Sequence, residues 1–153
     1  LFCPMIRGSD GQTKDTLRNV RETGEFVANI VSERLAQAMN LSSAEFPPEV
    51  NEFEAAGLVA LPGVKVRPPR VAESAVQFEC RLTQIVDLGA EPGGGSVVIG
   101  KVVYVHVSEA VLVGKDKILL EGLKPIGRLG GQWYTRVTDL FELLRPTLPP
   151  RKG

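Results

Sequence analysis

Apolar residues keep a helical spacing early in the chain and switch to alternation later. Residues 7–13 (RGSDGQT) hold two glycines and no apolar side chain, which predicts a loop. Leu17 and Val20 follow three apart, and Gly24 comes next. This predicts a short helix with Thr13 as N-cap and Gly24 as its stop. Residues 25–31 (EFVANIV) are mostly apolar and read as a buried strand. Ser32 is placed to cap a second helix over 33–39, with Leu35, Ala38 and Met39 inward. Phe46-Pro47-Pro48 breaks that helix, and Val50 and Phe53, closed by Gly57, predict another. Pro62, Pro68 and Pro69 make residues 58–70 an extended connection.

From Val76 the period becomes two. Val76, Phe78, Cys80, Leu82, Gln84, Val86 and Leu88 alternate with Gln77, Glu79, Arg81, Thr83, Ile85 and Asp87. A long strand with one core face and one mostly polar face is expected. Pro92-Gly93-Gly94-Gly95 turns the chain into residues 97–107, apolar on both faces. The two runs predict a long antiparallel hairpin. Beyond it the pattern predicts a helical turn over 108–112 and a short helix or strand over 117–123. A short strand over 134–137 and a last helix over 139–144, capped by Thr138, complete it. Strands and helices do not alternate as a parallel sheet requires. The expected fold is mainly β with peripheral helices: a small antiparallel barrel as one domain, residues 1–146, with a loose tail over 147–153. Leu1-Phe2-Cys3 reads as the end of a strand, which predicts a further segment before it.

Composition narrows the function more than the fold. The 153 residues are 43% hydrophobic and 24% charged, as in ordinary globular domains. Eighteen basic residues balance eighteen acidic ones, which argues against nucleic acid held on a basic face. No apolar run reaches the length of a membrane span. Cys3 and Cys80, with a single histidine, give no zinc spacing. Cys80 falls in the apolar strand pattern and reads as a buried thiol, and the default compartment is reducing and cytoplasmic.

The chemistry gathers at Lys14-Asp15-Thr16. A glycine-bearing loop leads into a helix start, where free N–H groups and the helix dipole favour an anion. Lys14 adds a charge and Thr16 a hydroxyl, which makes a phosphate site. Asp15 would repel a phosphate and is expected to point away. An ordinary capped helix with solvated charges explains the same residues. His106 lies in an apolar strand and reads either as a hydrogen-bonded structural residue or as a ligand contact. Arg128-Leu129-Gly130-Gly131, followed by Tyr134, could hold an anion and stack on a ring, or form a tight turn. Arg67-Pro68-Pro69-Arg70 is a stiff basic segment that could guide an anionic cofactor or serve as a surface connector. Trp133 reads as a residue of core or dimer-interface packing.

Several blocks then carry a resemblance. GQTKDTLRNVRETGEFVANIVSE, RPPRVAESAVQFECRL, VVIGKVVYVHVSEAVL and RLGGQWYTRVTDLFELLRP stand in this order along nearly the whole chain. Together they resemble the flavin reductase-like family with the FMN-binding split barrel, an antiparallel, Greek-key-like fold. The resemblance implies FMN, with FAD as the alternative, and NADH or NADPH as co-substrate. It implies a homodimer with the flavin near its interface, and a partner oxygenase receiving reduced flavin. Lys14 and Thr16 would contact the flavin phosphate, and Asp15 and Asn19 would organise the loop and helix. His106, Arg128 and Tyr134 would face the substrate side. Hydride transfer needs alignment and a dry site rather than an acid or base, so no catalytic residue is expected. The family carries strands before the equivalent of Leu1, so an incomplete barrel is expected of this chain. A flavin- or haem-binding module of the same fold without turnover is the alternative.

Overall fold

In the computed structural model, which describes residues 1–147, the sheet is built first by the long hairpin. Strands β4 (Val76–Asp87) and β5 (Ser96–Val107) pair antiparallel over their full length. Strand β1 (Glu25–Asn29) pairs with the other edge of β4, giving the order β1-β4-β5. Phe2 exchanges backbone hydrogen bonds with Val98 at 3.1 and 2.9 Å, so the chain start runs beside β5. Helix α1 (Asp15–Thr23) packs on this sheet because Leu17 and Val20 share one face. They meet Phe26, Cys80 and Val98 in the main core, and Val98 is fully buried. Gly24 ends the helix at φ 67°, a conformation that costs glycine nothing, and its N–H closes on Val20.

Smaller elements ring this centre. A 3₁₀ turn (Glu33–Leu35) leads into α2 (Ala36–Ser42), and α3 (Glu52–Ala55) follows, capped by the Asn51 side chain. Two-residue strands β2 (Ala60–Leu61) and β3 (Arg70–Val71) pair with each other. Then come β6 (Leu112–Val113) with β7 (Lys117–Ile118), α4 (Leu120–Leu123), and β8 (Ile126–Arg128) with β9 (Tyr134–Arg136). Val76, Val111 and Leu123 form a second, smaller core. The fold is mainly β and antiparallel, with peripheral helices. Among the described residues the hydrogen bonds form one three-stranded and three two-stranded sheets rather than a closed barrel.

The structure corrects several expectations. Thr13 is drawn into a bridge with Ile6, so Lys14 takes the N-cap position without a side-chain cap bond. Ser32 starts its turn without a side-chain cap bond, and its buried hydroxyl has no partner among the described residues. The helix expected over 33–39 starts as 3₁₀ and runs on to Ser42. Residues 58–70 fold back as a hairpin through β2 and β3 instead of staying extended. No helix forms over 139–144. Phe141, Leu143 and Leu144 are each more than 80% exposed, and a six-residue helix with nothing to pack against is not stable. Most of the expected tail, residues 148–153, lies outside the described residues.

The alternation of β4 also needs revising. A register shift between Leu82 and Gln84 places an extra residue in β4. A bulge reverses which residues face inward. Beyond it Ile85 packs on the core while Val86 and Leu88 are exposed. Before it, the face expected to be mostly polar is covered. Gln77 and Glu79 are both buried, Glu79 completely.

Candidate functional site

The start of α1 carries the first group of predicted residues. The first N–H groups of a helix have no intrahelical partner, and no side chain caps them here. Asp15 turns its carboxylate to Arg18 at 2.7 Å and to Arg7 of the preceding loop at 3.6 Å. It thereby ties the loop to the helix. Lys14 is half-buried and makes no ion pair among the described residues.

Thr16 and Asn19, three apart on α1, face a cleft of about 620 Å³. That volume is in the range of small-molecule sites. Phe26 of β1 and Phe53 of α3 give the cleft apolar surface, and Arg67, Pro68 and Pro69 form another part of its wall. Lys14 and Asp15 stand beside this lining rather than in it. Their charges reach it nonetheless. Glu52 lines the cleft, and burial first and the Asp15 charge second push its carboxyl above the ordinary range, with Lys14 opposing. Arg67 is fixed from below. Its backbone N–H and Nε donate to Glu25 Oε2 at 3.0 and 3.3 Å. The backbone bond leads in holding the Glu25 carboxyl below its usual range, against the effect of burial.

Arg128 and Tyr134 meet at a second cleft, of about 600 Å³, between α2 and the β8–β9 hairpin. The β8–β9 register sets the two residues opposite one another, and the Arg128 guanidinium lies 5.8 Å from the Tyr134 ring centroid. Arg136 lines the same cleft but is paired with Glu33. Arg128 meets no carboxylate among the described residues. Trp133 is 76% exposed, so it does not pack in the core of this chain.

His106 lines neither cleft. Its ring lies 4.7 Å from Tyr104, and its Nε2 is 2.6 Å from Glu79 Oε1. Glu79 also accepts the backbone N–H groups of Val64 (2.8 Å), Lys65 (2.6 Å) and Val66 (3.1 Å). Burial alone would raise this carboxyl, but the bonds from His106 and the three amides outweigh it and hold it near 2. Glu79 is therefore an acceptor only at neutral pH, so His106 Nε2 carries the hydrogen and donates it. Sequence reading placed Glu79 on the mostly polar face of β4 and gave it no role. The signal lay in the hairpin register, which sets Glu79 opposite Tyr104 and one diagonal from His106. Cys80, next along, is the buried thiol expected, and burial pushes it up. Among the described residues no cluster of His, Cys, Asp and Glu could hold a metal. No helix there is long and apolar enough to cross a membrane.

An antiparallel sheet with a helix start at its flank sets a cleft of small-molecule size beside a mainly β domain. Comparison makes the class specific. The model of the flavin reductase like domain matches residues 2–119, and the chain belongs to that family. A protein of Halalkalibacterium halodurans is 39% identical over 93% of this chain and 68% of its own length. One from Aquifex aeolicus is 40% identical over 89% and 67%. The chain thus spans about two thirds of these relatives. Nitrilotriacetate monooxygenase component B from Bacillus cereus superposes with a TM-score of 0.83 at 36% identity, over 92% of this chain and 69% of that one. The 2-nitrobenzoate 2-nitroreductase NbaA from Pseudomonas fluorescens gives 0.77 at 34%, over 91% and 68%. A split-barrel-domain protein from Shewanella frigidimarina gives 0.78 at 24%, over 94% and 70%, a likeness of fold.

Proposed function

We propose that this protein is an NAD(P)H:flavin oxidoreductase that binds FMN in the cleft beside α1. The observation that carries the reading is the convergence of Thr16 and Asn19 with Arg67, Pro68 and Pro69 around one cleft, next to Lys14, whose ammonium makes no ion pair among the described residues. These residues fit a planar ligand ending in a phosphate. Lys14, Thr16 and the free N–H groups of α1 hold the phosphate, and Asp15 and Asn19 order the loop and helix around it. Phe26, Phe53 and the proline pair supply dry, rigid surface for the ring. The flavin these residues would hold would supply a ring able to accept hydride from a nicotinamide and to pass electrons on. Arg128 and Tyr134 receive the anionic and aromatic parts of the co-substrate.

The likeness to a monooxygenase component B supports a partner oxygenase as acceptor of the reduced flavin. Exposed Val102, Tyr104 and Val105 on β5 support a homodimer in which a second copy covers that strand. The cytoplasm is the proposed compartment. The purified protein is expected to be yellow with FMN and to bleach on adding NADH or NADPH under nitrogen. A coloured protein inert to both nicotinamides would instead be a binding module without turnover. Lys14→Ala is expected to weaken FMN binding by roughly 1–3 kcal/mol, the scale of a charge-assisted hydrogen bond. Unchanged affinity would remove Lys14 from the site.

A further inference from the structure

The sheet face of β4 that carries Gln77 and Glu79 is roofed by residues 62–74. Gln77 ties down one end of this roof: its Nε2 donates to Val71 O at 3.0 Å and its Oε1 accepts from Arg70 at 3.2 Å. Glu79 ties down the middle by gathering three consecutive N–H groups onto one carboxylate. Such a turn of converging amides is an anion nest, and here the anion is the protein's own. The next residues along the chain, Arg67, Pro68 and Pro69, are the ones that wall the flavin cleft. Two prolines leave that stretch little freedom to absorb a shift from the turn.

We infer that Glu79, held in place by His106, is a positioning residue for the flavin cleft, fixing Val64, Lys65 and Val66 so that Arg67, Pro68 and Pro69 stand opposite Thr16 and Asn19. The inference rests on that cleft being the flavin site. Oε1 accepts from Val64 and His106, and Oε2 accepts from Lys65 and Val66. A glutamine at this position keeps one acceptor oxygen and turns an NH₂ toward amide donors, so the nest opens. Gly63 offers an approach from the other side, because an added Cβ would lie 2.3 Å from Val66 O. Gly63→Ala therefore disturbs the same turn without touching the buried carboxylate.

The experiment is FMN titration of the full chain by flavin fluorescence, with the thermal midpoint and the hydrogen exchange of the Val64, Lys65 and Val66 amides measured on each variant. Well below their midpoints, Glu79→Gln and Gly63→Ala are both expected to lose protection at those amides and to raise the FMN Kd on the order of tenfold. His106→Gln keeps an amide donor toward Oε1 and is expected to bind FMN nearly as the wild type does, whereas His106→Leu loses affinity. Should Glu79→Gln fail to fold, Gly63→Ala decides. A folded variant with the turn unprotected and FMN affinity unchanged overturns the inference and leaves the flavin site standing. Equal losses in His106→Gln and His106→Leu overturn the part given to His106, since a ligand contact would not be rescued by an amide. A wild-type chain that binds no FMN overturns the flavin reading, and the inference with it.

Discussion

The sheet half of the molecule and its C-terminal third obey different rules. In the first, α1, β1, β4 and β5 bury Leu17, Val20 and Val98 to 2% exposure or less. In the second, β6 to β9 are strands of two or three residues, and the chain from Leu140 to Leu144 leaves its large apolar side chains in solvent. Both halves contain apolar residues at regular spacing. The difference is whether a second surface exists for that spacing to meet. Helix α1 has the hairpin beneath it, and residues 139–144 have no comparable surface beneath them among the described residues.

The largest expected effect is in the first half. Leu17→Ala should cost about 2–5 kcal/mol, because it leaves a cavity in a packed core. Urea denaturation measures it. A cost under about 1 kcal/mol would mean that α1 collapses onto the sheet, and that this half is no better packed than the other.

The second effect depends on pH. The Glu79 carboxyl is held near 2, below its ordinary value of 4.5. A depressed carboxyl contributes stability that is fully present above the unfolded value. That contribution falls away as the pH drops from about 4.5 toward 2. Wild-type stability should therefore fall through that window more steeply than that of Glu79→Gln, which has no proton to take up. Parallel acid-unfolding curves for the two would show that the nest does not select the ionised form.

How much could be read from the sequence follows the same division. Leu17, Val20 and Gly24 define α1 locally, and alternation with the Pro92 to Gly95 turn defines the hairpin, so both were legible. The start of α1 was legible as a helix start, and the phosphate role proposed for Lys14 and Thr16 took its weight from the blocks that follow it in order. Glu79 was not legible from its own neighbourhood. Its burial comes from Val64, Lys65 and Val66, at least thirteen residues away, folding over a face whose pattern reads as polar. The reversal beyond Leu82 depends on a bulge that no residue type announces. Arg67, Pro68 and Pro69 looked like a connector because a wall is defined by what stands opposite, here α1.

A smaller effect concerns the pair that clips α1 to the end of β4. Arg21 Nη2 lies 2.5 Å from Asp87 Oδ1, and Ser96 donates to the same oxygen at 2.6 Å. Both charged side chains are about half exposed, so solvent screens the pair. Arg21→Ala should cost only about 0.2–1 kcal/mol, less in high salt. A larger, salt-independent loss would say that the arginine stem packs on the sheet edge and that the core half reaches further than its buried residues indicate.

The smallest effect is the sharpest test of the second half. Leu143 is 82% exposed, so Leu143→Ala removes few contacts within the chain and should change its stability by less than about 0.5 kcal/mol. That holds only while the residue stays in solvent. If a second copy covers it in the proposed homodimer, the same substitution weakens association instead, and its cost then depends on protein concentration. Melting wild type and variant at two concentrations separates the cases. A difference that is small at both leaves residues 139–144 an unpacked apolar stretch. A difference that appears only at the higher concentration means that the surface missing from this half of the molecule is supplied by another copy of the chain.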